Sequence, residues 1–360
     1  MKKILFVVEA MGGGVFTYIV DMANELSKNY DVSVAYGLRK QTPKDYKSYF
    51  NPSVNLIHVR NFTRSVDIKK DLAALFEIKD IENRIKPDII HLNSSKAGVL
   101  GRIAFKNFKG PVFYTPHGYS FLMKNVSTYK RKVYYYLEKF CASFTGITIA
   151  CSYGEYLTAK KITNKVTYVN NGINIDEINS FLDRIPTKKK NILTIGTLGR
   201  ISTQKNPTLF NKIAKAFPSL KFKWIGDGEL RSTLTSSNIE ITGWLDRKDA
   251  LKELNSIDIF VLPSLWEGLP ISLLEAMYLR KICIVSNIAG NNNVISNNIN
   301  GFICEDIQEY ISIINLVKHD INSKQLLELK KNAYENIIKE YNTKIMAKKY
   351  SKIYEDNSRR

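Results

Sequence analysis

An α/β protein with two parallel-sheet domains is what this sequence predicts, and three observations carry the prediction. The chain has 360 residues, too many for one ordinary core and enough for two α/β domains that each bury a sheet. Short apolar runs of strand length alternate with amphipathic runs of helix length almost from end to end. That alternation marks βαβ units, hence parallel sheets covered on both faces. It is interrupted at 183–190 by a polar, basic stretch containing Pro186, after which it restarts.

In the first half, strands are expected at 4–9, 32–36, 55–59, 88–93, 111–115, 146–151 and 165–169, and helices at 15–28 and 68–85. Val15, Ile19, Met22, Ala23 and Leu26 recur at helical spacing in the first of these helices. In the second half, strands are expected at 191–196, 220–226, 238–243, 258–263 and 282–286, with helices at 206–217, 246–255 and 270–279. From Gln308 onward the pattern is helical, with no further strand signal. The expected domains are 1–183 and 191–340, joined by a linker at 184–190, with a final helix in 341–360 packing back on the first domain.

The 44% hydrophobic and 24% charged residues are those of a globular chain, not a disordered one. No apolar run approaches the roughly 20 residues that span a bilayer. The opening Met1-Lys2-Lys3 imitates a signal peptide, but its apolar run stops at Glu9 and reads as a buried strand. The expected location is the cytoplasm. Cys141, Cys151, Cys283 and Cys304 are far apart, without a CxxC pair or a histidine cluster, so neither a zinc site nor a disulfide framework is expected. With 53 Lys and Arg against 34 Asp and Glu, the net charge of +19 favours an anionic partner, or else reflects a lysine-rich solvated surface.

In open parallel sheets, ligands bind beyond the carboxyl ends of the strands, often against helix N-termini. Three positions answer to this. Gly12, Gly13 and Gly14 follow the first strand directly and let the backbone approach a ligand, although the alternative is a plain tight turn. They are not a dinucleotide fingerprint, because position 17 is Thr17 and the second strand ends without an acid. The second position is Gly196-Thr197-Leu198-Gly199-Arg200, followed by Gln204-Lys205-Asn206-Pro207. It brings a guanidinium and an ammonium to a strand end, where they can stabilise the charge on a departing diphosphate without a metal. A solvated basic loop is the alternative. The third is Trp266-Glu267-Gly268-Leu269-Pro270, continuing to Glu275. Glu267 lies in a loop, Pro270 opens a helix, and Glu275 falls in its second turn. Two carboxylates there can accept from sugar and ribose hydroxyls, while amides near Gly268 and Leu269 take phosphate.

These residues resemble the family 4 retaining glycosyltransferases of the GT-B fold, in which two Rossmann-like domains with parallel sheets face each other across a cleft. The resemblance covers nearly the whole chain. It rests on Gly12-Gly13, Thr115-Pro116-His117-Gly118, Asn171-Gly172-Ile173-Asn174, Gly199-Arg200 with Lys205, Gly226-Asp227-Gly228-Glu229, Gly243-Trp244-Leu245 and Glu267-Gly268-Leu269-Pro270 through Glu275. It implies that Arg200 and Lys205 contact the donor diphosphate, that Glu275 binds ribose and that Glu267 reaches the transferred sugar. Gly268 and Leu269 would offer amides to phosphate or sugar. Gly199, Gly243 and Trp244 would line the donor site, the Gly12–Gly14 loop would lie near the diphosphate or acceptor, and His117 would face the reacting centre. No metal or other cofactor is expected, in keeping with the lack of an Asp-x-Asp motif. One departure concerns the loop after the strand at 282–286, where the family often carries Pro-Glu and this chain has Asn291-Asn292-Asn293. An amide at Asn293 replaces the usual carboxylate.

Between Arg102 and Lys139, basic residues interleave with aromatics, among them Lys106, Lys109, Phe121, Lys124, Lys130, Lys132, Tyr134, Tyr135 and Tyr136. This suits docking on an anionic membrane surface, where a lipid-linked glycan is the acceptor. The alternatives are nucleic acid or core tyrosines on a helix with a solvated basic face. The segment 93–102 also resembles surface-polysaccharide transferases. The expected activity is therefore transfer from a nucleotide-diphosphate sugar, a UDP-sugar by family habit, to a lipid-linked glycan in capsule, O-antigen or exopolysaccharide synthesis. The expected place is the inner face of the cell membrane, peripherally bound. A nucleotide-sugar epimerase or hydrolase of the same fold is the rival enzyme. A basic DNA-binding protein is the rival of another class, but no recognition helix or nucleic-acid motif is present.

Overall fold

The structure, a computed structural model, describes residues 1–358 apart from 10, 40–41, 64–66, 125 and 183–191. The expected linker at 184–190 lies outside the described residues. The chain divides into two compact units, Met1–Asn171 together with Thr343–Arg360, and Gly172–Asn342.

The first unit carries seven parallel strands: β1 (Lys3–Val8), β2 (Asp31–Tyr36), β3 (Asn55–His58), β4 (Ile89–Asn93), β5 (Val112–Thr115), β6 (Ile147–Ala150) and β7 (Val166–Tyr168). Their order is β3-β2-β1-β4-β5-β6-β7. Side chains of successive strand residues point to opposite faces, and β1 shows the consequence. Ile4, Phe6 and Val8 enter one core cluster with the helix Gly13–Leu26 and the terminal helix. Leu5 and Val7 enter the other, with residues of the helices Ile68–Ile85 and Ser95–Ala104. The terminal helix Thr343–Ser358 belongs to this unit. Its Tyr354 hydroxyl lies 2.6 Å from Nδ1 of His91, whose Nε2 lies 2.9 Å from the Thr115 hydroxyl. Fully buried polar groups are thus paired across the join.

The second unit has six parallel strands: β8 (Thr194–Leu198), β9 (Lys221–Ile225), β10 (Ile239–Ile241), β11 (Ile259–Leu262), β12 (Ile282–Ser286) and β13 (Phe302–Cys304). The order β10-β9-β8-β11-β12-β13 reverses direction between β8 and β11, the switch point at which doubly wound sheets bind ligands. Trp224, Ile195, Val261 and Ile284 build one of its faces.

Three differences from the sequence expectations have local causes. The first helix begins at Gly13 rather than Val15, so Gly13 and Gly14 are its opening residues and Gly12 its cap. β13 was not expected, because three residues are too short to display a period. The first unit ends at Asn171, and the helix Ile175–Leu182 belongs with the second. A polar stretch marks a loop, whereas membership is decided by where the preceding helix buries its apolar side, and Ile178 is fully buried.

The basic aromatic segment also divides. Arg102 is 2% exposed and is ion-paired to buried Glu138, which accepts from Tyr114 as well, so Arg102 belongs to the core and not to a surface patch. Phe121 is buried, whereas Lys106, Lys124, Lys130, Lys132, Tyr136 and Lys139 are exposed. All four cysteines are buried, and none forms a disulfide.

Candidate functional site

The loops leaving β8 and β11, on either side of the switch point, are stitched together. Leu265 N–H donates to the Gln204 carbonyl at 2.8 Å, and the Gln204 side-chain amide donates to the Trp266 carbonyl at 3.0 Å. This closure sets the Lys205 ammonium 2.7 Å from one Glu267 oxygen. The Ser264 hydroxyl donates to that same oxygen at 2.8 Å, and Gln204 reaches the other at 3.1 Å. Lys205 and Glu267, 62 residues apart in sequence, are therefore a single charge-paired centre. Asn206 caps the following helix from a left-handed conformation, φ 52°, accepting from Leu209 N–H at 3.3 Å, with Pro207 in the first position.

Glycines shape the wall around this pair. Gly199 has φ +149°, and a Cβ there would stand 3.0 Å from Cε of Lys205. Its carbonyl accepts from the buried Trp224 indole at 2.8 Å. Gly290 follows β12, and a Cβ on it would come within 2.7 Å of the Glu267 carbonyl oxygen. Only a glycine lets that backbone approach so closely.

Glu275 is held separately. It is 2% exposed, in the helix Ile271–Tyr278 whose cap position is Pro270. Nη1 of Arg247 donates to it at 2.7 Å, while Nε of the same guanidinium donates to Glu177 at 2.7 Å. Burial pushes the Glu275 carboxyl above the usual carboxylate range, and Arg247 opposes that shift.

Arg200 is half-buried, with Nε 3.8 Å from a Glu229 oxygen. Gly226 and Gly243, both at positive φ, bridge each other, and Trp244 beyond them is 55% exposed. Gly268 is half-buried and Leu269 buried in the loop between Glu267 and Pro270. Asn293 closes the short helix Ala289–Asn292. Its side-chain amide donates to the Ala289 carbonyl and its own carbonyl accepts from the Tyr341 hydroxyl at 2.8 Å.

In the first unit, Gly12 is extended and gives the helix no side-chain cap, and Gly13 and Gly14 are exposed. His117 follows β5 with φ +54°, and Gly118 has φ +95°. A non-glycine residue in this region is strained and needs surroundings that fix it. Gly118 N–H donates to the buried Glu155 carboxylate at 2.6 Å, which also accepts from Cys151 N–H at 2.8 Å. His117 Nε2 lies 3.0 Å from Asn93 Oδ1, and its ring meets Tyr18 edge-on at 4.4 Å. Because the Asn93 amide nitrogen donates to the His91 carbonyl, its oxygen is left to accept, which puts the His117 proton on Nε2 and the lone pair on Nδ1. Burial lowers the His117 pKa to about 3, so the ring is neutral at physiological pH.

Sequence reasoning thus singled out Lys205, Glu267, Glu275 and His117, but not the groups that hold them. Arg247, Glu177 and Ser264 were missed, and Gln204 and Gly290 were given no role of their own. For Arg247 a signal existed. It is the first residue of the helix Arg247–Asn255, where a cation opposes the helix dipole, and such a residue calls for compensating carboxylates.

Residues 12–177 match the glycosyltransferase family 4 description, and residues 179–357 match glycosyl transferases group 1. The chain is 32% identical over 338 residues to the Escherichia coli UDP-Gal:alpha-D-GlcNAc-diphosphoundecaprenol alpha-1,3-galactosyltransferase, covering 86% of this chain and 85% of that one. It is 26% identical to the Staphylococcus aureus capsular polysaccharide biosynthesis glycosyltransferase CapM, covering 84% and 83% of the two chains. In fold it is similar to Anabaena HepE in complex with UDP and glucose, with TM-score 0.79 and 17% identity over 99% of this chain and 100% of that one.

Proposed function

This chain belongs to the family 4 glycosyltransferases, and we propose that it is a retaining, metal-independent enzyme moving a sugar from UDP to a lipid-diphosphate-linked glycan. The observation that carries the reading is the Lys205–Glu267 pair at the switch point of the second sheet, with Arg200 leaving the same strand end. An incoming diphosphate competes with Glu267 for Lys205 and draws on Arg200. The released Glu267 carboxylate then accepts from hydroxyls of the sugar. The Glu275 carboxylate, aimed by Arg247, accepts from ribose. As the bond from the anomeric carbon to the diphosphate breaks, charge builds on the leaving oxygen, and Arg200 and Lys205 stabilise it. The acceptor hydroxyl attacks the face the diphosphate leaves and gives it the proton, so configuration is kept. No side chain of this chain acts as a nucleophile.

The name of the Escherichia coli relative supports UDP as carrier and a diphosphoundecaprenol-linked acceptor. The name of CapM supports surface polysaccharide synthesis. A lipid-linked acceptor in turn supports a peripheral place at the inner face of the cell membrane.

Thermal stabilisation by UDP, GDP, ADP and their sugars, with and without EDTA, tests this reading. A rise in melting temperature with UDP and UDP-sugars, unchanged by EDTA, is expected. A shift that EDTA abolishes would remove the metal-independent part, and indifference to all three nucleotides would remove the whole.

A further inference from the structure

The helix Thr128–Ala142 of the first unit turns apolar side chains both inward and outward. Cys141 and Glu138 are buried, with Tyr134 and Tyr135 partly buried against the core. The opposite side exposes Tyr129 at 77%, Tyr136 at 64% and Phe140 at 59%, with Val133 and Leu137 between them. At helical spacing these five fall within about 100° of arc, which is one continuous stripe. Lys132 and Lys139 border it on one side and Lys130 on the other, all exposed. The helix has a single acid, Glu138, and that one is buried on Arg102. On the same side of the sheet, the helix Ile68–Ile85 exposes Ile68, Leu72 and Phe76.

We infer that the outer stripe of the helix Thr128–Ala142 is a docking surface that lies in the interface of an anionic lipid bilayer. The inference deepens the proposed function and rests on it for the membrane-borne acceptor. An apolar stripe edged by lysines is what an interfacial helix needs. The aromatic and aliphatic groups enter the acyl boundary while the lysine stems reach back to the headgroup phosphates. A second copy of the chain fits worse, because a symmetric contact would set lysines against lysines. Nucleic acid fits worse too, since Val133 and Leu137 offer a phosphate backbone nothing.

Flotation of the full chain with phosphatidylcholine vesicles, alone or containing phosphatidylglycerol, tests the inference. Binding is expected to the anionic vesicles and to weaken with salt. The variant Tyr136→Ser/Phe140→Ser should bind them about tenfold more weakly or worse, and Lys130→Glu/Lys132→Glu should do the same. Both variants should keep the parental melting temperature and its response to UDP, so that loss of docking is told apart from failure of the sugar-transfer reading. A Phe140→Trp variant should be quenched by brominated lipid. The inference is overturned if the folded parent ignores anionic vesicles, or if the serine variant binds them at full strength. It is also overturned if duplex DNA displaces the vesicles, or if the parent is a dimer that the serine substitutions make monomeric.

Discussion

Lys205 and Glu267 sit 2.7 Å apart, and on the proposed chemistry the lysine is shared with the departing diphosphate. Lys205→Ala should therefore lower kcat by about a hundredfold or more while changing donor affinity much less; steady-state kinetics with a UDP-sugar reads both. The second pair makes a different prediction. Removing Arg247 strands a buried carboxylate, so Arg247→Met should cost about 3–5 kcal/mol in urea unfolding. Glu275→Gln should cost less, because burial already disfavours the charged form of that side chain, and a neutral amide relieves that penalty. His117 sets a pH dependence. Its pKa falls from 6.5 to about 3 in the folded chain, so between those values the unfolded chain binds more protons. Its contribution is fully present above 6.5 and is lost as pH falls toward 3. His117→Asn should reduce the slope of stability against pH in that window, with His91, also lowered by burial, retaining part of it. The residues whose chemistry is intrinsic were legible in the sequence, since a carboxylate beside a proline-led helix carries its meaning with it. Their partners were not. Glu177 and Arg247 meet only once two helices pack, and no spacing in the chain announces it.

At the scale of elements, the βα alternation foretold most strands, because parallel strands buried on both faces are continuous apolar runs. β1 shows it, with 4–8 fully buried. Elements without such a run stayed hidden, β13 among them, and so did the helix Ile175–Leu182, whose eight residues precede a polar stretch that reads as a boundary. The helix Thr128–Ala142 was legible in composition and ambiguous in orientation. Tyr134, Tyr135 and Tyr136 are adjacent in sequence, and only the packed helix shows which of them faces out. Gly290 gives the test that belongs at this scale. A methyl group there meets the Glu267 backbone at 2.7 Å, so Gly290→Ala should push the β11 loop outward and lose transfer activity. Its stability should fall by about 1–3 kcal/mol, read together from kinetics and thermal unfolding.

For the whole molecule, two parallel-sheet α/β units were legible from length and alternation, whereas the GT-B class was legible only through the resemblance its motifs carry. The exchange at the C-terminus follows the same logic, since Tyr350 and Tyr354 are fully buried in the first unit although they lie at the far end of the chain. No described helix is long and apolar enough to cross a membrane. On the inferred membrane docking, the lysines that border the exposed apolar stripe give part of the net charge of +19 a use at anionic headgroups. The central claim is sugar transfer from UDP with configuration kept and without a metal. It is tested most directly by incubating the chain with a panel of α-linked UDP-sugars and a panel of lipid-diphosphate-linked sugars in EDTA, and reading the product linkage by NMR. The account predicts one UDP-sugar consumed, UDP released and an α-linked disaccharide on the lipid. A β-linked product, free sugar, an epimerised donor or a requirement for divalent cation would contradict it.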